Sequence, residues 1–193
     1  MRATICKDVE DHRLEFAVIL ARHSGKMVLC RHRKRTTWEF PGGHREQGET
    51  IGEAAARELR EETGALEFDL HEICPYSVED SGRESFGMLF YAVIYRIDKE
   101  LHHEIQEIRR TQTLPENWTY TEIQPVLLAE ASRRGLIRSG FGALLEIEAP
   151  ILAVSGAGKI PFGHAPKGIQ HIAMRTQISK PSPLRRMSAM RPR

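Results

Sequence analysis

Between Thr50 and Gly64 the chain specifies a complete helix, with both its start and its stop. Thr50 and Glu53 have the spacing of a capping box, in which the hydroxyl and the carboxylate satisfy N–H groups that the first turn leaves free. Gly64 supplies a left-handed stop. Ile51, Ala55 and Leu59 recur along one face and form the predicted buried stripe, and Ala54 and Ala56 let the helix lie close to a sheet. On the same helix Glu58, Glu61 and Glu62 stand at i, i+3 and i+4, so they share a face within about one turn. They also sit at the end where the helix dipole disfavours anions, and each unfavourable interaction costs roughly 0.2–1 kcal/mol. Arg57 and Arg60 relieve part of this. A helix shaped by stability alone would place cations here, whereas converging carboxylates suit a hard divalent cation such as Mg²⁺. Glutamate-rich helix faces are usually solvated surface, and the triad alone favours that reading over a metal site.

The 193 residues allow one well-buried domain and an appendage. No run reaches the roughly 20 apolar residues that cross a bilayer. Residues 1–10 lack the apolar core of a secretion signal, so a cytoplasmic protein without membrane association is expected. Cys6, Cys30 and Cys74 are odd in number and widely spaced, which predicts reduced thiols. Charge divides the chain more sharply than its net +2 suggests. Residues 149–193 hold eight Lys or Arg and no acid, which leaves 20 basic against 26 acidic side chains in residues 1–148, a net of −6. That tail also holds Pro150, Pro161, Pro166, Pro181, Pro183 and Pro192, and its composition buries too little apolar area to offset chain entropy. The expected division is therefore a domain over residues 1–145 and a largely disordered basic tail over 146–193, with a short apolar run at 149–154 available to dock on the body.

Residues 14–21 and 27–31 read as a β-hairpin joined through Ser24, Gly25 and Lys26. A polar loop over 31–37 leads to Trp38-Glu39-Phe40 and a break at Pro41-Gly42-Gly43. After the helix, residues 66–78 and 87–97 are rich in β-branched and aromatic side chains and predict strands, with 79–85 as the loop between them. A second helix is expected from about 122 to 134. Strands and helices in this order predict an α+β fold with a mixed sheet.

The string from Gly43 to Ala65 resembles the Nudix box, G-x5-E-x7-R-E-U-x-E-E-x-G-U, in which U is a bulky aliphatic residue. Gly43, Glu49, Arg57, Glu58, Leu59, Glu61, Glu62 and Gly64 match, eight of nine specified positions over 23 residues. Ala65 departs from the pattern, and Leu66 is the expected substitute for its packing. The lead-in from Trp38 to Gly42 is also similar to that of the family. The resemblance implies a Nudix-like α/β/α sandwich with a catalytic loop-helix, and Mg²⁺, or Mn²⁺ in its place, as cofactor. It implies Glu58 and Glu62 as metal ligands, Glu61 as a direct or water-mediated one, and the Gly42 carbonyl as a further one. Arg57 would orient the glutamates, and Glu49 would brace the loop. Such ions neutralise phosphate oxygens and make water a better nucleophile at neutral pH. A further family glutamate outside the box finds two candidates in His103-Glu104-Ile105-Gln106-Glu107, with Glu104 ahead of Glu107 as ligand or base. The proton acceptor stays open among these carboxylates.

For the substrate, the run from Arg31 to Arg35 can meet a polyphosphate or remain a solvated loop. Trp38 either stacks on a base, worth about 1–3 kcal/mol, or belongs to the core. Arg31, Arg33, Trp38 and Gly43 are the candidate substrate contacts, and Asn117 or Gln124 is placed to meet a purine edge. Residues 114–126 resemble the C-terminal part of the MutT-like nucleoside triphosphate diphosphatase subgroup. The segment from Ala153 to Ile160 is similar to a P-loop but lacks its first Gly and last Ser or Thr, and neither His71-Glu72 nor His103-Glu104 is followed by the second His of a zinc protease. The leading expectation is hydrolysis of a nucleoside triphosphate, with an oxidised purine such as 8-oxo-dGTP included, to monophosphate and pyrophosphate. ADP-ribose, a nucleotide sugar or a dinucleoside polyphosphate is the alternative substrate. A nucleotide-sensing module whose tail contacts nucleic acid is the alternative of another class. Either a monomer or a homodimer fits.

Overall fold

A computed structural model of the chain describes residues 1–98, 105–139, 145–146 and 171–172. The described chain runs β1 (Arg2–Ile5), β2 (Leu14–His23), β3 (Lys26–His32), β4 (Gly42–His44), α1 (Ile51–Thr63), β5 (Ala65–Asp80), β6 (Arg83–Ile97), β7 (Ile105–Thr111), α2 (Gln124–Arg133), and three two-residue strands, β8 (Arg138–Ser139), β9 (Leu145–Glu146) and β10 (His171–Ile172). Its main sheet has the order β1-β5-β6-β2-β3-β7, with β4 on β2 and β10 on β5. β2 and β6 are parallel and the other pairings are antiparallel, so the sheet is mixed as expected. β8 and β9 pair separately.

A helix lies over each face. Ile51, Ala55, Ala56 and Leu59 of α1 pack with Ile19, Ala21, Val28, Phe90 and Ala92, while Leu127, Leu128 and Ala131 of α2 pack with Leu20, Leu29, Leu89 and Tyr91. Consecutive residues of β2 and β6 thus feed opposite cores, which is why these strands read as near-continuous apolar runs instead of alternating ones. The result is the α/β/α sandwich. α1 has both predicted ends: the Thr50–Glu53 capping box is formed, and Gly64 adopts φ +71° with its N–H on the Arg60 carbonyl. The first hairpin turns at Ser24 and Gly25, both with positive φ, the geometry of a two-residue I′ turn.

The structure departs from the sequence reading in several places. β5 and β6 are joined by Ser81 and Gly82 alone, both at positive φ, so the expected loop at 79–85 is mostly strand. Their pairs Glu79↔Glu84 and Asp80↔Arg83 are exposed, and solvated polar strand ends carry no apolar signal. The break at Pro41-Gly42-Gly43 continues into β4, in which Gly42 and Gly43 lie opposite Val18 and Ala17. β1 and β7 lie at the two ends of the sheet order and were not anticipated; β7 occupies the segment read as a glutamate-bearing loop. α2 begins at Gln124, two residues later than expected. Leu66 is 39% exposed and does not stand in for the missing aliphatic, because Ala65 is itself buried and paired with Ile97. Cys6, Cys30 and Cys74 are free, the latter two buried. Among the described residues no helix is long and apolar enough to cross a membrane.

At the end of α2 the buried Glu130 carboxylate accepts from Arg133 at 2.7 Å and Arg134 at 2.6 Å. Arg133 above all, then Arg134, hold its pKa at about 2, below the ordinary 4.5. A lowered folded-state pKa stabilises the fold above the unfolded value, and that contribution is lost as pH falls from about 4.5 toward 2. Thermal unfolding is therefore expected to show a smaller drop in Tm across this range for Glu130→Gln than for the parent, and equal drops would show that the carboxylate adds nothing.

Candidate active site

β4 is sewn to the start of β2, and the loop that follows turns back to deliver α1, so one short segment fixes both sides of the site. A Cβ on Gly42 would overlap the Ala17 carbonyl, so only glycine lets β4 approach this closely. Gly43 lies against Glu58, and a Cβ there would occupy the space of its carboxylate. Arg57 then binds the loop to the helix. Its Nε and Nη2 donate to the two oxygens of Glu49 at 2.8 and 3.1 Å, Nη1 donates to Glu58 at 2.7 Å, and Nη2 also donates to the His44 carbonyl at 2.9 Å. Glu49 in turn accepts the Glu46 N–H at 3.0 Å. These contacts are the ones that the implied orienting role of Arg57 and bracing role of Glu49 would need.

Glu62 is buried, with both oxygens engaged. Oε2 accepts the Gly42 N–H at 2.8 Å, and Oε1 meets His32 Nε2 at 3.0 Å. The Cys30 thiol lies 3.6 Å from Oε2. Burial, then Glu62 and Glu39, push the Cys30 thiol well up, so it stays protonated and acts as a weak donor. The bond to Glu62 is the main reason the His32 pKa is raised. Burial raises that of Glu58, aided by the charges of Glu62 and Glu61 and opposed by Arg57. Glu61 has the loosest hold, a 3.4 Å contact with Arg57. Its side chain is 39% exposed, against 13% for Glu58 and 8% for Glu62.

Two cavities meet here. One, of about 290 Å³, is lined by His32, Gly42, Gly43, Glu58, Glu61, Glu62 and Ile105. The other, of about 340 Å³, shares His32, Gly42 and Gly43 and extends between aromatic rings of Phe16, Tyr76 and Tyr120 to Glu39, Arg35 and Gln124. Among the described residues no three His, Cys, Asp or Glu side chains already stand as a metal-ligand set, because Glu58 and Glu62 are turned toward protein donors. The donor chemistry nevertheless fits a hard divalent ion: three carboxylates line one small cavity, and glycine at position 43 keeps its wall free of a side chain that would displace Glu58.

Gly42, Gly43, Arg57, Glu58, Glu61 and Glu62 therefore come together as expected. Glu104 lies outside the described residues, as does most of the tail. Glu107 is on β7 opposite Arg31 and pairs with it at 2.5 Å. That pairing places Arg31 away from both cavities, with its guanidinium 5.5 Å from the Trp38 ring centroid. Arg33 is exposed and lines neither cavity. Trp38 is 4% exposed, has Arg109 stacked 4.1 Å over its ring, and packs with Met27, Leu29 and Phe40. It is a core residue, which overturns the stacking role. Asn117 is spent on the Thr36 carbonyl at 2.7 Å, while Gln124 does line the aromatic cavity. The sequence reading held His32 and Arg35 only as members of the cationic run, singled out neither, and missed Glu39. A signal existed for the first: Cys30 and His32 are two apart on β3, so the strand that buries one aims the other at the same helix.

A family model of the NUDIX domain matches residues 11–134. The chain is 34% identical over 99 residues to a Bacillus subtilis (strain 168) protein provisionally named 8-oxo-dGTP diphosphatase YtkD, an overlap covering 46% of this chain and 62% of that one. It is 41% identical over 59 residues to the RNA pyrophosphohydrolase of Xanthomonas campestris pv. campestris (strain B100), 31% of this chain and 29% of the other. The chain thus spans less than two thirds of the length of these relatives. In structure it is similar to a mutant of the Bacillus subtilis pyrophosphohydrolase BsRppH, with a TM-score of 0.60 and 26% identity over 69% of this chain and 91% of that one. A UDP-X diphosphatase shares the fold at a TM-score of 0.54 and 16% identity, covering 66% of each chain. With the domain match spanning most of the described body and the box residues gathered around one acidic cavity, the chain belongs to the Nudix family.

Proposed function

We propose that this chain is a Mg²⁺- or Mn²⁺-dependent pyrophosphohydrolase that converts a nucleoside triphosphate, oxidised purines such as 8-oxo-dGTP included, to the monophosphate and pyrophosphate. The observation that carries the reading is the union of the two cavities through His32, Gly42 and Gly43. One is acidic and suited to cations and phosphates, and the other is ringed by aromatic side chains and suited to a flat base. The relative named for 8-oxo-dGTP supports the free nucleotide. The likeness to a protein named RNA pyrophosphohydrolase favours a second reading, the same bond cleaved at the 5′ end of an RNA.

Glu58, Glu61, Glu62 and the Gly42 carbonyl would hold the cation, whose chemistry is to neutralise phosphate oxygens and ease the ionisation of water. The remaining work falls to the chain. Arg57 keeps Glu58 in place through a guanidinium that Glu49 locks at two points, so the carboxylate need not reorganise when substrate enters. Water oxygen attacks phosphorus as the P–O bond to the leaving pyrophosphate breaks, and the water proton passes to a carboxylate. Glu61, the least restrained of the three glutamates that line the acidic cavity, is the proposed acceptor, with Glu104 the other candidate.

A hydrolysis screen with Mg²⁺ or Mn²⁺ over canonical and oxidised nucleoside triphosphates, 5′-triphosphorylated RNA, ADP-ribose, nucleotide sugars and dinucleoside polyphosphates tests the reading. Pyrophosphate release from a triphosphate is expected, and turnover should fall by at least about 10²-fold in Glu62→Gln. Activity confined to ADP-ribose or the nucleotide sugars would replace it, and equal turnover in variant and parent would remove Glu62 from the machinery. Gly43→Ala is a sharper probe of geometry, because its added methyl must displace the Glu58 carboxylate. About 10²-fold lower kcat with an unchanged circular dichroism spectrum is expected, and full activity would show that Glu58 is dispensable where it stands.

A further inference from the structure

Two of the rings that line the aromatic cavity lean across a glycine. Gly87 of β6 lies opposite Phe16 of β2 on one side and Tyr76 of β5 on the other, so all three belong to one face of the sheet, the face that packs with α2. β2 and β5 are separated by β6, two strand spacings or roughly 9–10 Å. The ring centroids of Phe16 and Tyr76 are nevertheless 5.5 Å apart, at an interplanar angle of 64°. The rings therefore tilt toward each other and close over position 87. No side chain fits beneath them: a Cβ on Gly87 would stand 2.3 and 2.4 Å from two carbons of the Phe16 ring and 2.8 Å from Tyr76 Cζ. The backbone at 87 is outside the left-handed region, so the requirement for glycine is one of space, at a central strand position where glycine costs entropy and packing.

Displaced rings have one open direction. Tyr76 is 1% exposed within the α2 core, and Phe16 also meets the His44 ring at 6.0 Å, whereas both rings border the cavity of about 340 Å³. That volume is near the lower end of the range for ligand pockets, about 300–1,000 Å³, so a small advance of the wall matters.

We infer that Gly87 sets the depth of the aromatic cavity, and so the size of base the site takes, by letting Phe16 and Tyr76 lie down against the sheet. This rests on the nucleotide reading above and deepens it: room for the two fused rings of a purine depends on a side chain that is absent. Gly87 itself lines neither cavity, so it is a positioning residue that acts through Phe16 and Tyr76. A methyl at 87 lifts the rings into the cavity, and a two-ring base loses more than a one-ring base. One methylene of mismatch in an apolar pocket changes affinity about 10- to 200-fold.

Calorimetric titration of guanosine, adenosine, cytidine and uridine 5′-monophosphates into the full chain with Mg²⁺ tests the inference separately from hydrolysis. The better-bound purine of the parent should weaken about 10-fold or more in Gly87→Ala, while the pyrimidines change by no more than about threefold. In a Phe16→Leu background, where the obstructed ring is gone, the same Gly87→Ala change should alter purine affinity by no more than about threefold, an uncoupling that general damage to the fold would not produce. If Gly87→Ala does not fold, Phe16→Leu alone is the readout: with the wall lowered, the three-ring analogue ethenoadenosine 5′-monophosphate should gain at least about threefold relative to adenosine 5′-monophosphate. Equal weakening of purines and pyrimidines, no weakening, a parent that binds only pyrimidines, or a loss that persists in the Phe16→Leu background overturns the inference. An unchanged analogue ratio does the same where that readout is used. Binding of none of the four by the parent defeats the nucleotide reading as well. Nucleotide binding without triphosphate hydrolysis defeats only the pyrophosphohydrolase reading, and the titrations still decide the role of Gly87.

Discussion

The hinge of the structure is the guanidinium of Arg57. Three carboxylates on one face near the C-terminal end of a helix repel one another and oppose its dipole, so α1 would not choose this arrangement alone. Arg57 answers by sitting between the loop and the helix, tied to Glu49 through two bonds and to Glu58 through one. Because the His44 carbonyl ends β4 and Glu49 belongs to the loop that follows it, the same cation that relieves the helix also anchors the loop. Glu62 is relieved from the opposite side, by the Gly42 N–H and His32. Charges that would destabilise an isolated helix are thus distributed over β3, β4 and α1, and the acidic cavity exists because the tertiary structure supplies the donors.

That arrangement needs a rigid base, which the sheet provides. β2 is buried on both faces and bordered by β6 and β3, with β4 added at its start, so little about its position is free to vary. Gly42 and Gly43 bring backbone against Ala17 and against Glu58 at distances no side chain would permit. The glycines serve two purposes: at position 42 the requirement is packing of backbone on backbone, and at position 43 it is room for the Glu58 carboxylate.

What could be read from the sequence follows the range of the forces involved. The ends of α1 depend on a hydroxyl, a carboxylate and a glycine between Thr50 and Gly64, and they formed as read. The glutamates of the site were legible because their spacing and context repeat a known string. β7 was not, because its pairing with β3 joins residues about eighty apart and its exposed positions carry Glu107, Arg109 and Arg110, the composition of a loop. Trp38 illustrates the same limit: a sequence shows a large aromatic beside a cationic run, but only the fold shows that Arg31 and Arg109 cover the ring. The cations of that run also part company, Arg31 going to Glu107 and Arg35 to Glu39 in the cavity wall, a division with no local signature.

The division has a consequence for how an anion is received. Arg35 is the member of the run that faces the aromatic cavity, and it does so already paired with a buried carboxylate whose pKa burial raises. A paired cation presents little net charge to a phosphate, so the cavity around it is better matched to the neutral base than to the polyphosphate. His32 stands at the junction, in contact with Glu62 on one side and 3.6 Å from Glu39 on the other. The strongly acidic side of the junction is therefore the side that needs an external positive charge, and the neutralised side is the one that can accept an uncharged ring. Under the proposed nucleotide reading, orientation would be set by where charge has been cancelled inside the protein, more than by where cations are abundant in the sequence.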